Sequence, residues 1–156
     1  MTLIAVVRVR GRVRASTEVK ETMRLLNLDR VNHCVLVQDT PQTLGMVKKV
    51  KDYVTWGPVK LEVVEAMLEK RARTQGKQGL TVEYLKKNTE YSNVKELGKA
   101  LMEGRQKMNA LQGAKRVFRL TPPSKGYERG GIKKSVNQGG ALGPRSDMSG
   151  LLEKMI

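Results

Sequence analysis

Along LIAVVRVRGRVR, residues 3–14, an apolar run gives way to alternation of valine with arginine. Val7, Val9 and Val13 fall on one side of an extended chain, and Arg8, Arg10, Arg12 and Arg14 on the other. Period two with β-branched residues predicts a strand that runs into a basic loop. In ASTEVKETMRLLNL the period changes: Val19, Met23 and Leu26 recur at i, i+4 and i+7. Ser16 or Thr17 can cap the start and Glu18 suits the positive helix N-terminus, so an amphipathic helix ending near Asn27 is expected. VNHCVLVQ, residues 31–38, reads as a second strand. DTPQTLGMVKKVKDYV opens a second helix. Thr40 can cap it and Pro41 fits its first position, where the missing N–H costs nothing. Leu44, Val47, Val50 or Lys51, and Val54 form its apolar stripe, with Lys48, Lys49 and Asp52 off it. VTWGPV, residues 54–59, is a short third strand. The order β-α-β-α-β predicts a three-stranded sheet with two helices on one face.

Beyond this core, residues 60–73 carry Leu61, Val64 and Leu68 on one helical face. TQGKQG, residues 74–79, is a polar loop. Thr81 can cap a short helix through Lys87, and Ser92 another containing Val94, Leu97 and Leu101. VFRL, residues 117–120, reads as a short strand cut off by Pro122 and Pro123. SDMSGLLEKMI closes the sequence as a short helix capped by Ser146 or Asp147. The expected fold class is α+β, divided into a core at 1–59, a helical extension at 60–112, a basic glycine-rich arm at 113–145 and a C-terminal helix at 146–156.

Charge adds a partner to this picture. The 156 residues hold 30 Lys+Arg against 15 Asp+Glu, a formal net charge of +15. A field of that strength draws polyanions at long range. Four arginines within residues 8–14, with no acid among them, repel one another on a solvated strand, which points to phosphate contact. Between Lys115 and Arg145 the cations are Lys115, Arg116, Arg119, Lys125, Arg129, Lys133, Lys134 and Arg145, with Glu128 the one acid. Glycine interleaved with Lys and Arg suits an arm laid against an RNA backbone, ordered by that contact.

Other chemistries fail on spacing. Gly126 and Gly131 have the separation of a phosphate loop, but Ile132 stands where its lysine would be. Gly139, Gly140 and Gly143 do not make G-x-G-x-x-G. With one histidine, His33, the acid–base options are poor, and no set of residues has catalytic spacing. Cys34 is the only cysteine, so no internal disulfide or cysteine-based zinc site is available. Both residues read as ordinary strand positions. No catalytic residue, metal, cofactor or small-molecule substrate is expected. No apolar run reaches the roughly 20 residues of a membrane span, and a cytoplasmic protein is expected.

Asp39-Thr40-Pro41, Gly45-Met46 and Lys49-Val50, preceded by an arginine- and glycine-bearing loop and by Leu28 to Asn32, resemble the universal L-thirty family of large-subunit ribosomal proteins. The later stretches YVTWG, LTVEYLKKNT and FRLTPPSKGYERGGIKKSVNQGGALGPR resemble its archaeal form, so the likeness spans nearly the whole chain. The resemblance implies a structural, non-enzymatic constituent of the large subunit. Its implied partners are large-subunit ribosomal RNA, near the 5S RNA, and neighbouring ribosomal proteins. In that frame Arg8, Arg10, Arg12 and Arg14 are the RNA-contacting residues of the first loop. Lys48 and Lys49 serve on the second helix, placed by Thr40, Pro41, Gly45 and Met46 as structural residues. Lys115, Arg116, Lys125, Arg129, Lys133, Lys134, Gln138 and Arg145 serve from the arm, with Gly139 and Gly140 allowing close approach. The other reading of the same charge is an RNA-binding or regulatory module that works off the ribosome.

Overall fold

The computed structural model describes residues 2–76 and 78–156. Lys77, within the polar loop expected at 74–79, lies outside the described residues. The chain forms β1 (Leu3–Arg8), α1 (Thr17–Leu25), β2 (His33–Gln38), α2 (Pro41–Lys49), β3 (Val54–Pro58), α3 (Leu61–Lys70), α4 (Val82–Asn88) and α5 (Val94–Met102). β4 (Val117–Arg119), β5 (Gly143–Pro144) and α6 (Ser149–Glu153) follow.

The α+β class holds, but the sheet has five strands, in the order β4-β2-β1-β3-β5, where the local pattern predicts three. The added strands are short and come from the last third of the chain. β4 pairs antiparallel with β2 and β5 pairs parallel with β3. β4 falls on VFRL, the short strand read from the sequence, but its pairing with β2 is non-local, and the two residues of β5 carry no usable periodicity.

The two core helices lie on one face as expected, and the later helices cover the other. Every residue of β1 is buried, because both faces of the sheet are covered. Ile4 and Val6 pack with Val35, Trp56, Met23 and Val47 under α1 and α2. Leu3, Ala5 and Val7 pack with Leu36, Phe118, Val64, Leu68, Leu97 and Leu152, under α3, α5 and α6. A strand buried on both sides reads as a continuous apolar run, which is what LIAVV is.

Local starts follow the chemistry read from the sequence. Ser16 Oγ accepts from Val19 N–H at 3.4 Å, Thr40 Oγ1 from Thr43 N–H at 3.3 Å and Thr81 Oγ1 from Tyr84 N–H at 3.3 Å. Pro41 holds the first position of α2. At α5 the expected cap is reversed. Asn93 precedes the helix without a side-chain bond, and the Ser92 N–H donates to Glu96 Oε2 at 2.9 Å. Asp147 Oδ1 accepts from Ser149 N–H at 2.8 Å and starts α6.

Candidate nucleic-acid interface

Strand register gathers distant parts of the sequence at one end of the sheet. Arg8 lies opposite Val54, His33 opposite Arg119, and Thr55 opposite Gly143. The loop after β1, the end of α2 and the arm before β5 therefore all emerge there.

The loop and the α2 end are stitched together. The Val9 and Arg10 N–H groups donate to the Tyr53 carbonyl at 2.9 and 3.1 Å. The Arg10 guanidinium lies over the Tyr53 ring, 5.4 Å from its centroid, and Nη1 donates to the Asp52 carbonyl at 3.2 Å. Arg12 and Arg14 are exposed beyond this anchor, with Arg14 at φ 62° closing the turn. Lys48 and Lys49 are exposed on the last turn of α2. There they oppose the negative end of the helix dipole. Lys51, not selected from the sequence because it stood as an alternative to Val50 on the buried stripe, is exposed beside them.

The arm is folded onto this end. Val9 packs with Ala141, Leu142 and Tyr127, and Tyr127 Oη donates to Asn32 Oδ1 at 3.2 Å. Within the arm the Val136 N–H bonds the Leu142 carbonyl at 2.8 Å, Gly140 N–H the Ser135 carbonyl at 2.8 Å, and Ala141 N–H the Gly131 carbonyl at 3.0 Å. Lys125, Arg129, Lys133, Lys134 and Gln138 remain exposed on its outer side.

Four sequence-derived roles change. Arg8 is 2% exposed. Its Nε donates to the Arg10 carbonyl at 2.9 Å, and Nη1 to the Leu28 and Asp29 carbonyls at 2.8 and 2.7 Å. Burial, with Arg12 adding to it, makes its protonated form less favourable than usual. Arg8 thus holds the α1–β2 connection and stands away from the surface. The expected alternation stops with it, and Val13 is 84% exposed. Arg145 is turned inward too. Its Nε donates to Thr55 Oγ1 at 2.9 Å and its two Nη atoms grip Glu128 at 2.5 and 2.9 Å. Gly140 is buried, and a Cβ there would overlap the Lys134 carbonyl. The close approach it allows is within the arm itself, while Gly139, at φ 78°, ends the 3-10 turn Val136–Gln138. Gly45 is exposed in α2 with no atom within 4 Å of a Cβ added to it, so packing inside the chain does not require glycine. Met46, by contrast, packs against the α1–α2 core.

Lys115 and Arg116 are not part of this assembly. They precede β4 and lie toward the opposite end of the sheet from Arg119.

Among the described residues, ion pairs use Arg24, Lys60, Arg105 and Arg145. None involves Arg10, Arg12, Arg14, Lys48, Lys49, Lys133 or Lys134. Nor does any group of His, Cys, Asp and Glu among the described residues have the arrangement to hold a metal ion. No helix among them is long and apolar enough to cross a membrane. Cys34 is fully buried and burial pushes its thiol pKa up, away from nucleophilic use.

Comparison with known proteins finds ribosomal proteins. The family model described as ribosomal protein L30p/L7e matches residues 4–54. Beyond that segment, the large ribosomal subunit protein uL30 of Methanopyrus kandleri is 47% identical over 148 residues, covering 94% of this chain and 99% of the relative. The uL30 protein of Methanocella arvoryzae is 40% identical over 154 residues, with 98% and 99% coverage. That of Thermoplasma volcanium is 41% identical over 155 residues, with 99% and 93% coverage.

Proposed function

Since the chain belongs to the L30p/L7e family of ribosomal proteins, a structural and non-enzymatic family, we propose that it binds large-subunit ribosomal RNA through the basic end of its sheet. The observation that carries this reading is the convergence there of three groups of exposed cations that form no ion pair among the described residues: Arg12 and Arg14, Lys48, Lys49 and Lys51, and Lys133 and Lys134 of the arm. Cations on fixed backbone contact phosphates and set the register of the protein on RNA. Large-subunit ribosomal RNA is irregular, and its recognition rests largely on shape and backbone. The neighbourhood we assign, beside the 5S RNA and adjoining ribosomal proteins in the cytoplasmic ribosome, rests on the family resemblance.

Sucrose-gradient sedimentation tests the reading. The protein should run with the large subunit at one copy per particle, and absence from it would refute the proposal. Binding to large-subunit RNA should also be steeply salt-dependent, each phosphate contact adding about −0.7 to −0.9 to the log–log slope. Replacing Lys133 and Lys134 with Ala should flatten that slope and leave the melting of the free protein unchanged.

A further inference from the structure

A second concentration of positive charge lies along the outer strand β4, on the edge away from β5. A groove of about 210 Å³ there is lined by Arg71, Arg73, Lys115, Val117 and Arg119. Four of its five lining residues are cations and none is an acid. Two segments more than forty residues apart build it. Val117 and Arg119 share one side of β4, and Lys115, just before it, lines the same groove. Arg73 and Thr74 run beside them: Thr74 bridges to Ala114, and the Lys115 N–H donates to the Arg73 carbonyl at 2.8 Å. Arg71 is fixed between them by bonds from its guanidinium to the Ile156 carbonyl at 3.1 and 2.6 Å and to Thr121 Oγ1 at 3.4 Å. Among the described residues no Asp or Glu pairs with any of the four.

Holding four like charges around one groove costs the free protein repulsion, which an anion placed there offsets. The groove is smaller than the roughly 300–1,000 Å³ of small-molecule sites and has one apolar wall residue, so it does not suit a base or a cofactor. Its cations are strung out instead. Lys115 and Arg119 are four residues apart in the sequence, at most about 14 Å, and such a row fits successive phosphates of a linear polyanion better than a single ion. Four strand spacings, about 19 Å, separate this edge from β5.

We propose that the Arg71–Arg73–Lys115–Arg119 groove holds the sugar–phosphate backbone of a stretch of ribosomal RNA separate from the one gripped at the basic end. The protein then acts as a rigid spacer between two RNA segments. This inference rests on the RNA-binding reading above and adds a second contact to it.

Hydroxyl-radical footprinting of the full chain on transcribed large-subunit RNA, together with the salt dependence of binding, tests it. The variant Lys115→Gln/Arg119→Gln leaves the anchored Arg71 in place. It should melt like the wild type, make the salt slope less negative by about 1.4 for two single-strand contacts, and lose one protected stretch. Lys133→Ala/Lys134→Ala should lose a different stretch. If the double Gln variant proves unstable, Arg119→Gln alone should give half the change in slope and weaken the same protection. An unchanged slope and footprint would overturn the groove while leaving the basic end intact. Loss of the same stretch by both variants would overturn the two-segment arrangement. Failure of the wild type to bind the RNA at all would overturn the underlying RNA-binding reading, and this inference with it.

Discussion

Arg145 and Glu128 meet in a bidentate pair, Nη1 to Oε1 at 2.5 Å and Nη2 to Oε2 at 2.9 Å, and so the one acid of the arm closes the arm on itself. The same guanidinium reaches Thr55 on β3, tying the closed arm to the sheet. Glu128→Gln keeps the shape and removes the charge. It should lower the unfolding free energy by about 1 kcal/mol, measured by urea denaturation. The Arg145 bond holds the Glu128 carboxyl below its usual pKa of 4.5. Its contribution is therefore present above that pH and is lost as the pH falls further. Glu128→Gln should lose that part of the acid dependence.

Gly140 and Gly139 should respond oppositely to added side chains. Gly140→Ala drives a Cβ into the Lys134 carbonyl. It should disorder the arm and weaken RNA binding at least tenfold, with faster amide exchange at Val136 and Leu142. Gly139 has a left-handed φ but open space around it, so Gly139→Asn should cost less than about 1 kcal/mol.

Gly45→Ala separates stability from binding. An exposed helical glycine costs about 1 kcal/mol relative to alanine, and no atom of the chain stands where the methyl would go. The melting temperature of the free protein should rise. If RNA lies against α2, affinity should fall in the same variant. Unchanged affinity would take this helix off the interface.

Arg8→Gln should be a stability variant and not a binding one. It leaves the Arg10, Leu28 and Asp29 carbonyls without their buried donor, a loss of about 2–4 kcal/mol by urea denaturation. RNA affinity of the folded fraction should match the wild type.

His33 supplies a pH signature. Burial first, then the charge of Arg119, with smaller contributions from Arg30 and Arg8 against Asp29, keeps its pKa below the usual 6.5. The unfolded chain then takes up a proton that the folded chain refuses. Stability should fall as the pH drops below 6.5, with a slope of at most about 1.4 kcal/mol per unit. His33→Gln should flatten the curve in that window, above the range where Glu128 titrates.

The legible part of this protein was local. Strands β1 to β3 announce themselves by β-branched runs, and α2 by Thr40 and Pro41, because each signal sits within a few residues. The fate of individual cations was not legible. Arg8 and Arg12 look alike in an alternating row, yet one is buried and the other exposed, since burial depends on where the α1–β2 connection folds back. The β4 groove was hidden for the same reason: Arg71 and Arg119 become neighbours only through pairings that no periodicity encodes. The glycines of the arm pointed to close backbone approach to RNA. Their partner at Gly140 is Lys134 of the same chain.

The strand order β4-β2-β1-β3-β5 also sets a timetable. Both outer strands come from the last part of the chain, and Thr55 and Gly143, bonded at 3.0 Å, are 88 residues apart. While the protein is being made, β2 and β3 therefore stand with unpaired edges, the kind of template that recruits another chain. At about 5–20 residues per second, that exposure lasts on the order of ten seconds. Distant pairings are also slow to form once the chain is complete. The completion of the sheet and the presentation of the arm proposed to contact RNA are one event. An unfinished molecule lacks its grip and has open edges at the same time.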